Sequence, residues 1–251
     1  MVTLGIDEVG RGCLAGSVVL AGVLLKDNYP ICTLPFLQKE IKTSSNNFSK
    51  ENLGDKDELW YQQNPELKNI RDSKKLSLKK RREVAELVKK NKIDNIILSC
   101  SNNLIDDYGI GVCLSHLVLF ILCKLASQTL PIKIIVDGKI KILSQINPIL
   151  SQKIIIENNL DLDLDLFNSF VLNHGLTVNR ENFADDKYLS VALASNIAKV
   201  YRDDLMTNLG NDYPDFGWAN NKGYGTSLHR AAILKHHKNN PYLRQTFLSK
   251  I

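Results

Sequence analysis

Near its start the chain reads Gly5-Ile6-Asp7-Glu8-Val9-Gly10-Arg11-Gly12-Cys13-Leu14-Ala15-Gly16. The apolar run from Val2 to Ile6 predicts a strand, which leads into two adjacent carboxylates and then into a glycine-containing loop. Two acids followed by backbone that can approach a phosphate closely are typical of a metal-dependent site acting on a phosphodiester. Successive side chains of a strand point to opposite faces, so Asp7 and Glu8 share a site only if the strand ends or kinks there, which Gly10 permits. The alternative is a solvated strand end with an ordinary turn, and partners elsewhere in the chain decide between the two.

The composition is that of a soluble globular protein, with 44% hydrophobic and 24% charged residues in a chain of 251. This length can form one large domain or two small ones. No apolar run is long enough to cross a bilayer, and the start lacks the features of a signal peptide. Five cysteines without a CxxC pair favour a reduced, cytoplasmic protein in which they serve as small apolar residues.

Positive charge is concentrated between Lys68 and Lys92, where eleven Lys or Arg residues face three acids. The net charge of the whole chain is only +5. Because no matching apolar face of aromatic residues accompanies this cluster, it favours a polyanion such as nucleic acid over a membrane. A solvated basic helix is the alternative.

Alternating apolar runs and helical patterns indicate an α/β fold. Strands are predicted over residues 2–6, 17–25, 93–99 and 132–136, the second pairing back on the first. Helices are predicted from the N-cap Ser77, over 111–125, over 188–209, and after the cap Thr226. Within the second of these, His116 reads as a satisfied core histidine rather than a ligand.

Two segments show no sustained period. Residues 27–69 are interpreted as an irregular surface insertion with a short helix near Leu37 to Ile41. The pattern is also weak from Ile140 to Asn182. There, residues 161–165 begin like a calcium loop, but Leu166 occupies the position where the sharp turn needs glycine, so we expect an exposed alternating segment.

Acidic residues at the predicted element ends are candidates for one common site. Asp7 and Asp137 each end a strand, and ligands of open α/β sheets gather beyond the carboxyl ends of strands. Asp185 precedes a helix, where an aspartate is often only a cap. Together with Glu8 they offer the oxygen ligands that Mg²⁺ needs, and two such ions about 3.5–4 Å apart can activate water at phosphorus. No G-x-S-x-G or Cys/His pairing indicates a side-chain nucleophile.

Five blocks occur along the chain in a recognisable order. They are Gly5-Ile6-Asp7-Glu8 with Gly10-Arg11-Gly12, Asp72-Ser73-Lys74-Lys75-Leu76-Ser77, Val136-Asp137-Gly138, Ala194-Ser195-Asn196-Ile197-Ala198-Lys199-Val200 with Arg202-Asp203, and Asn221-Lys222-Gly223-Tyr224-Gly225-Thr226 with His229. Together they resemble the type 2 ribonuclease H family, in particular bacterial ribonuclease HII. The resemblance implies a ribonuclease H-like fold, with a mixed central sheet flanked by helices and a C-terminal helical appendage. It also implies cutting of the RNA strand in RNA–DNA hybrids, and nicking 5′ of ribonucleotides embedded in duplex DNA, with Mg²⁺ or Mn²⁺ as cofactor.

The resemblance also implies a role for each matching position. The catalytic, metal-holding carboxylates are Asp7, Glu8, Asp137 and Asp185, the last selected over Asp186 by counting back from Ala198-Lys199-Val200. The loop Gly10, Arg11 and Gly12 senses the ribose 2′-hydroxyl, which separates RNA from DNA. Tyr224 stacks on the sugar next to the ribonucleotide. The remaining substrate-binding residues are Lys74 and Lys75 on phosphates, with Ser195, Lys222 and His229, and Arg230 is a further candidate for contact with the backbone.

The chain also departs from the family pattern. Cys13 stands where proline is usual, Ala184 where glycine is frequent, and Leu243 where histidine is common, and Asn196 lies in a looser version of the helix start. These departures, together with the long segments 27–69 and 143–182, concern substrate docking and the level of activity more than the chemistry. The alternative is a hybrid-binding protein with little or no catalysis, whose site is spoiled by the irregular insertions. The type 3 enzyme is disfavoured, because it carries an extra N-terminal domain and lacks the Gly-Arg-Gly form.

The expected organisation is one domain over residues 1–251. It consists of a catalytic core over 1–209, with insertions near 27–69 and 143–182, and a helical substrate-binding segment over 210–251. We expect a cytoplasmic monomer that does not associate with membranes.

Overall fold

The computed structural model describes residues 2–26, 70, 76–126, 132–143, 145–173, 175–236 and 240–250. The short helix expected near Leu37 to Ile41 lies outside these ranges, as do Lys74 and Lys75 and the rest of the insertion at 27–69.

Five strands of the described chain form one mixed sheet in the order β3-β2-β1-β4-β5. Their bounds are Val2–Val9 for β1, Val18–Lys26 for β2, Asn95–Cys100 for β3, Ile132–Asp137 for β4 and Val178–Glu181 for β5. The first three are antiparallel neighbours, and β4 lies parallel to both β1 and β5. The predicted mixed sheet and the pairing of β2 back on β1 are confirmed.

The strand β1 is longer than predicted. It continues through both acids to Val9, with Asp7 opposite Ala21 and Glu8 opposite Leu20 of β2. The strand therefore neither ends nor kinks at the two carboxylates, because backbone pairing with β2 keeps this part extended. The predicted condition for a shared site, a strand end or kink, does not hold, since Asp137 acts electrostatically on both Asp7 and Glu8.

The α-helices of the described chain flank this sheet. They are Leu78–Lys90 (α1), Asn102–Tyr108 (α2), Ile110–Ile121 (α3), Pro148–Glu157 (α4), Leu164–Asn173 (α5), Leu189–Asp212 (α6), Trp218–Asn221 (α7) and Ser227–His236 (α8). A π-helical turn, Leu122–Ala126, extends α3. The predicted caps are confirmed, since Ser77 Oγ accepts from Lys80 N at 3.3 Å and Thr226 Oγ1 accepts from His229 N at 3.2 Å.

The exposed alternating segment expected at residues 161–165 is only partly found. Exposure does alternate there, but the helix α5 already begins at Leu164, and Asp163 Oδ1 accepts from Leu166 N at 2.9 Å. Phe167 and Val171, one helical turn apart, are buried, and Phe167 stacks on Phe120 of α3. Capping and burial of this face explain the helix.

The two faces of β1 pack against different helices. Leu4 and Ile6 belong to the large apolar cluster around α3. On the opposite face the long helix α6 crosses closely, and a Cβ built on Gly5 would lie 2.3 Å from the backbone nitrogen of Val191. Glycine in β1 therefore sets how near α6 comes to the sheet.

The C-terminal part is helical and joins the core through a third apolar cluster. Leu14, Met206, Trp218, Ile233 and Leu243 are buried together in it. An isolated antiparallel bridge also joins Ala15 to Leu243. The segment after α6 thus packs directly on the loop that follows β1.

Within the described ranges, no single helix has the length and apolar character needed to cross a membrane. The two consecutive helical segments Asn102–Tyr108 and Ile110–Ala126 reach that length and apolar character only when they are taken together, and a bend of 113° separates them.

His116 is a satisfied core histidine, as predicted. Its Nδ1 lies 2.9 Å from the carbonyl of Val112, and its Nε2 accepts from Asn147 N at 2.9 Å.

Candidate active site

Parallel pairing of β1 with β4 brings two of the predicted carboxylates to one edge of the sheet. Ile6 is paired with Val136, so Asp7 and Asp137 follow at equivalent positions on neighbouring strands. Asp7 is buried, whereas Asp137 is partly exposed. Asp137 is the last residue of β4, and Gly138 turns the chain away with a φ of 69°.

A short 3₁₀ turn, Ala184–Asp186, supplies the third carboxylate just before α6. The backbone nitrogen of Ala184 donates to Asp137 Oδ1 at 2.7 Å, which ties this turn to the end of β4. Asp185 is buried and acts electrostatically on Asp7, while the neighbouring Asp186 is partly exposed. The geometry therefore favours Asp185 over Asp186 as the member of the site.

The electrostatics of Asp7 show that the four acids share one environment. Burial raises the pKa of Asp7 well above its usual range, and repulsion from Glu8, Asp137 and Asp185 raises it further. A hydrogen bond with the Ser195 side chain acts in the opposite direction. Ser195 thus lies against Asp7, on the α6 side of β1.

Glu8 carries an unsatisfied buried oxygen. Its Oε1 lies 3.5 Å from Arg11 Nη1, while its Oε2 is buried without a hydrogen-bond partner. Burial raises the pKa of Glu8, the Arg11 guanidinium lowers it, and Asp137 raises it again. An orphaned carboxylate oxygen that interacts electrostatically with Asp7 and Asp137 fits a hard divalent cation, which takes oxygen ligands. Among the described residues, however, no three His, Cys, Asp or Glu side chains already form a set that could hold a metal ion.

Two buried arginines hold the glycine loop through its carbonyl oxygens. Arg202 donates to the carbonyls of Ser17 and Ala15 at 3.0 and 3.1 Å. Arg244 donates to those of Gly16 and Arg11 at 2.8 and 3.1 Å. Burial lowers the pKa of Arg244 to about 10. The loop conformation is therefore fixed by charged donors from α6 and from the C-terminal segment.

These parts enclose a cleft of about 470 Å³. It is lined by Asp7, Glu8, Val9, Gly10, Arg11, Gly12, Ser195, Lys199 and Tyr224. Tyr224 is 40% exposed, and Lys199 Nζ lies 5.7 Å from the centre of its ring. The predicted residues Asp7, Glu8, Gly10 to Gly12, Ser195 and Tyr224 thus line a common cavity.

Lys199 is a cleft residue to which the sequence analysis gave no role. It lies one helical turn after Ser195 on α6, and its Nζ pairs with Asp203 Oδ1 at 2.7 Å. The spacing of Ser195, Lys199 and Asp203 at four-residue intervals places all three on one face of the helix. That spacing is the sequence signal that could have identified it.

Two predicted substrate-binding residues face the protein instead of the cleft. His229 is fully buried, its Nε2 accepts from Trp218 Nε1 at 2.9 Å, and its Nδ1 lies 2.9 Å from the Tyr224 carbonyl. Both ring nitrogens of His229 are therefore engaged inside the core, and its contact with a substrate stays a prediction. Lys222 Nζ donates to Thr207 Oγ1 and to the Ala219 carbonyl, at 2.5 and 2.7 Å. Both residues support the turn that carries Tyr224.

Cys13, a departure from the family pattern, also lies beneath Tyr224. The thiol is buried and shares a hydrogen bond with the tyrosine side chain. Its Sγ lies 3.8 Å from the Lys222 carbonyl oxygen. Burial raises the pKa of the Cys13 thiol. The residue thus links the glycine loop to the turn of Tyr224.

Solved structures share this architecture. The ribonuclease HII of Archaeoglobus fulgidus, solved as a complex with PCNA, matches with a TM-score of 0.60 and 26% identity over 98% of this chain and 94% of that chain. Ribonuclease H2 from Pyrococcus horikoshii OT3 matches with a TM-score of 0.60 and 22% identity over 100% and 96%. A Bst ribonuclease HIII in complex with Mn²⁺ has a TM-score of 0.56 and 16% identity, covering 100% of this chain and 68% of that one. The fold and the acidic cleft define a nuclease of the ribonuclease H-like class.

Sequence comparisons narrow this class. The family model described as Ribonuclease HII matches residues 61–249. The ribonucleases HII of Flavobacterium psychrophilum and Bacteroides thetaiotaomicron are 30% and 31% identical, over 97% and 98% of this chain and 89% and 90% of theirs. The chain belongs to the ribonuclease HII family, whose members are ribonuclease H hydrolases that require divalent metal ions.

Proposed function

We propose that this protein is an endoribonuclease that cuts the RNA strand of RNA–DNA hybrids and nicks duplex DNA 5′ of embedded ribonucleotides. Hydrolysis leaves a 3′-hydroxyl and a 5′-phosphate. The observation that carries the proposal is the convergence of four acids from β1, β4 and the turn before α6, beside a loop whose backbone faces a cleft.

In this proposal Asp7, Glu8, Asp137 and Asp185 hold Mg²⁺ or Mn²⁺. Support comes from the repulsion among these carboxylates and from the unpartnered buried oxygen of Glu8, since both are relieved by a cation. When bound, two such ions would supply the chemistry of an activated water and of charge stabilisation at the leaving oxygen. The protein contributes the ligand oxygens, and Ser195 orients Asp7 through its hydrogen bond.

The glycine loop is the proposed reader of the ribose. A Cβ built on Gly12 meets no atom within 4 Å, so nothing in the described protein requires a glycine there. An absent side chain at an open, exposed position lets a nucleic acid approach the backbone closely. The 2′-hydroxyl is the group that distinguishes RNA from DNA at one nucleotide, and backbone groups of Gly10, Arg11 and Gly12 can bond to it.

Other cleft residues are assigned to the flanking nucleotides. The exposed face of Tyr224 packs on the neighbouring sugar, and Lys199 beside it meets a phosphate. Lys74 and Lys75, outside the described residues, are proposed to hold phosphates further along the strand. Lys222 takes part through the turn that it supports rather than through its ammonium group.

We propose further that the whole chain acts as a single domain and a monomer, with residues 210–251 helping to hold the duplex. Packing of the C-terminal segment on the glycine loop supports this organisation. A cytoplasmic location is part of the same proposal. Its support is that the cysteines of the described chain, Cys13, Cys100, Cys113 and Cys123, are all buried and free.

The test uses an end-labelled DNA duplex containing one ribonucleotide, and a full RNA–DNA hybrid, incubated with Mg²⁺, with Mn²⁺ or with chelator. Asp7→Asn, Asp137→Asn and Asp185→Asn are expected to abolish nicking while binding to the duplex persists. Asp186→Asn is the matched control, one residue away and only partly buried, and is expected to retain activity.

Two results would contradict the proposal. Nicking that persists in Asp7→Asn or Asp137→Asn would remove these carboxylates from the chemistry. Tight duplex binding by the wild-type protein without cleavage in either metal would instead favour the hybrid-binding alternative.

A further inference from the structure

Phe183 combines two features that are rarely found together. Its backbone is left-handed, with φ 59° and ψ 36°, a conformation that is an outlier for a bulky residue. Its side chain is 72% exposed, so burial of the ring does not compensate for the strain. Strained residues concentrate at functional sites, where the surrounding structure fixes them.

The neighbouring hydrogen bonds explain the backbone conformation. Ala184 N donates to Asp137 Oδ1 at 2.7 Å, and Asp186 N donates to the Phe183 carbonyl at 3.2 Å. An ion pair of 2.5 Å between Lys187 and Glu181 closes the loop around them. This left-handed residue therefore directs the chain from β5 into the turn that carries Asp185.

These hydrogen bonds do not explain why residue 183 carries a phenyl ring. Glycine adopts a left-handed conformation without strain, and any side chain would leave the same backbone bonds in place. The ring projects into solvent two residues before Asp185 and one residue before the bond to Asp137. Phe183 therefore lies at the start of the turn that carries Asp185, at the edge of the acidic site.

We propose that Phe183 is a substrate-contacting residue that packs its ring against a sugar of the nucleic acid beside the scissile phosphate. This inference rests on the proposed function, because it assumes that a nucleic-acid duplex occupies the acidic cleft. Sugars present apolar C–H groups at the surface of a duplex, whereas the bases remain stacked inside it. An uncharged ring adds contact area without adding charge, so its contribution should not depend on salt in the way that lysine contacts do.

The test compares Phe183→Gly, Phe183→Ala and Phe183→Trp in the full-length protein. Binding is measured in chelator with an RNA–DNA hybrid and with a duplex containing one ribonucleotide, and steady-state cleavage is measured in Mg²⁺. Gly and Ala variants are expected to bind at least about fivefold more weakly and to raise KM by a similar factor, with kcat and the salt slope unchanged. Phe183→Trp is expected to keep the affinity, and the fluorescence that it adds over wild type should change when duplex is added.

The glycine variant separates the ring from the backbone. Phe183→Gly is expected to be more resistant to urea than Phe183→Ala, because only glycine relieves the left-handed strain, yet both should lose affinity equally. Leu172→Ala, an exposed leucine on α5, is the control and should change neither binding nor KM.

Unchanged affinity and KM in both Phe183→Gly and Phe183→Ala would overturn the proposal. A loss of kcat or stability with unchanged KM would overturn it as well, since that result assigns the ring a structural role. Because binding is measured without metal, wild-type protein that binds but does not cut would refute the proposed function alone.

Discussion

Replacing Gly10 and Gly12 by alanine, one at a time, should separate the two roles of the glycine loop. Gly10 has a φ of +87°, and a Cβ built on it would lie 2.1 Å from Arg202 Nε. Gly12 has neither constraint, since its Cβ would meet nothing within 4 Å. Gly10 is therefore required by the fold, whereas Gly12 is required only by a nucleic acid that approaches the loop from outside.

The cost of Gly10→Ala follows from the contacts of Arg202. Left-handed backbone costs an alanine about 1–2 kcal/mol. Arg202 is fully buried and donates to three carbonyls, those of Ser17, Lys222 and Ala15, so its guanidinium cannot retreat without breaking a bond. Losing one hydrogen bond to a charged group costs about 1.5–3 kcal/mol. The sum is about 2.5–5 kcal/mol, which for a chain of this size lowers the melting temperature by about 5–20 °C.

The assays are urea unfolding and cleavage of the ribonucleotide-containing duplex, both carried out on each variant. Gly10→Ala should lose the stated stability, whereas Gly12→Ala should remain within about 0.5 kcal/mol of wild type. Gly12→Ala should nevertheless cut poorly, because its methyl group occupies the space that the ribose needs. Equal stability of the two variants, or full activity of Gly12→Ala, would refute the reasoning.

Three further predictions concern charge. Burial and neighbouring acids raise the pKa of Asp7, so above about pH 4 this side chain keeps its proton in the folded, metal-free protein after the unfolded chain has lost it, and the contribution of Asp7 to stability falls as pH rises. The melting temperature of Asp7→Asn minus that of wild type, measured in chelator, should therefore increase from pH 4 to pH 8. Lys199→Met should weaken duplex binding and reduce the salt slope by about one, as measured by titration in increasing salt, if Lys199 meets a phosphate. Arg244→Leu should lower the free energy of unfolding by about 3 kcal/mol or more, because the Gly16 and Arg11 carbonyls lose their donors. Arg244→Lys should recover only part of that stability, because an ammonium group cannot bond to both carbonyls with the fork geometry of a guanidinium. Urea unfolding of both variants checks this last prediction.

Local patterns were sufficient to predict four of the five strands in the described sheet and the helices capped by Ser77 and Thr226, but not the strand Val178–Glu181. The strand at 132–136 and the cap at Ser77 depend on neighbouring residues alone, and the structure confirms both. The helix Leu164–Asn173 was missed because alternating Asp and Leu at 161–165 resemble a strand. The deciding interaction is distant in sequence, since Phe167 packs on Phe120.

For the site, the sequence predicted which strand ends meet, but not the direction in which individual side chains point. Acids at strand ends could be predicted to meet, because parallel strands deliver their carboxyl ends to one edge of the sheet. Whether a side chain faces outward could not be predicted. His229 belongs to a matching motif but turns inward to Trp218, and Lys199 was given no role although it lines the cleft.

The two buried arginines hold the glycine loop rather than the buried carboxylate of Asp7, and this explains why the site calls for cations from outside. The buried guanidinium groups of Arg202 and Arg244 donate to loop carbonyls, and so they fix the shape of the loop. Asp7 receives its electrostatic influence from other acids and is countered by the neutral Ser195 hydroxyl. Had either arginine paired with Asp7, the carboxylate would be satisfied internally and its pKa would fall. Because Arg202 and Arg244 are engaged by the backbone, the one arginine of the described chain that lies beside a carboxylate of the site is Arg11, next to Glu8, and divalent cations can neutralise the repulsion that remains around Asp7.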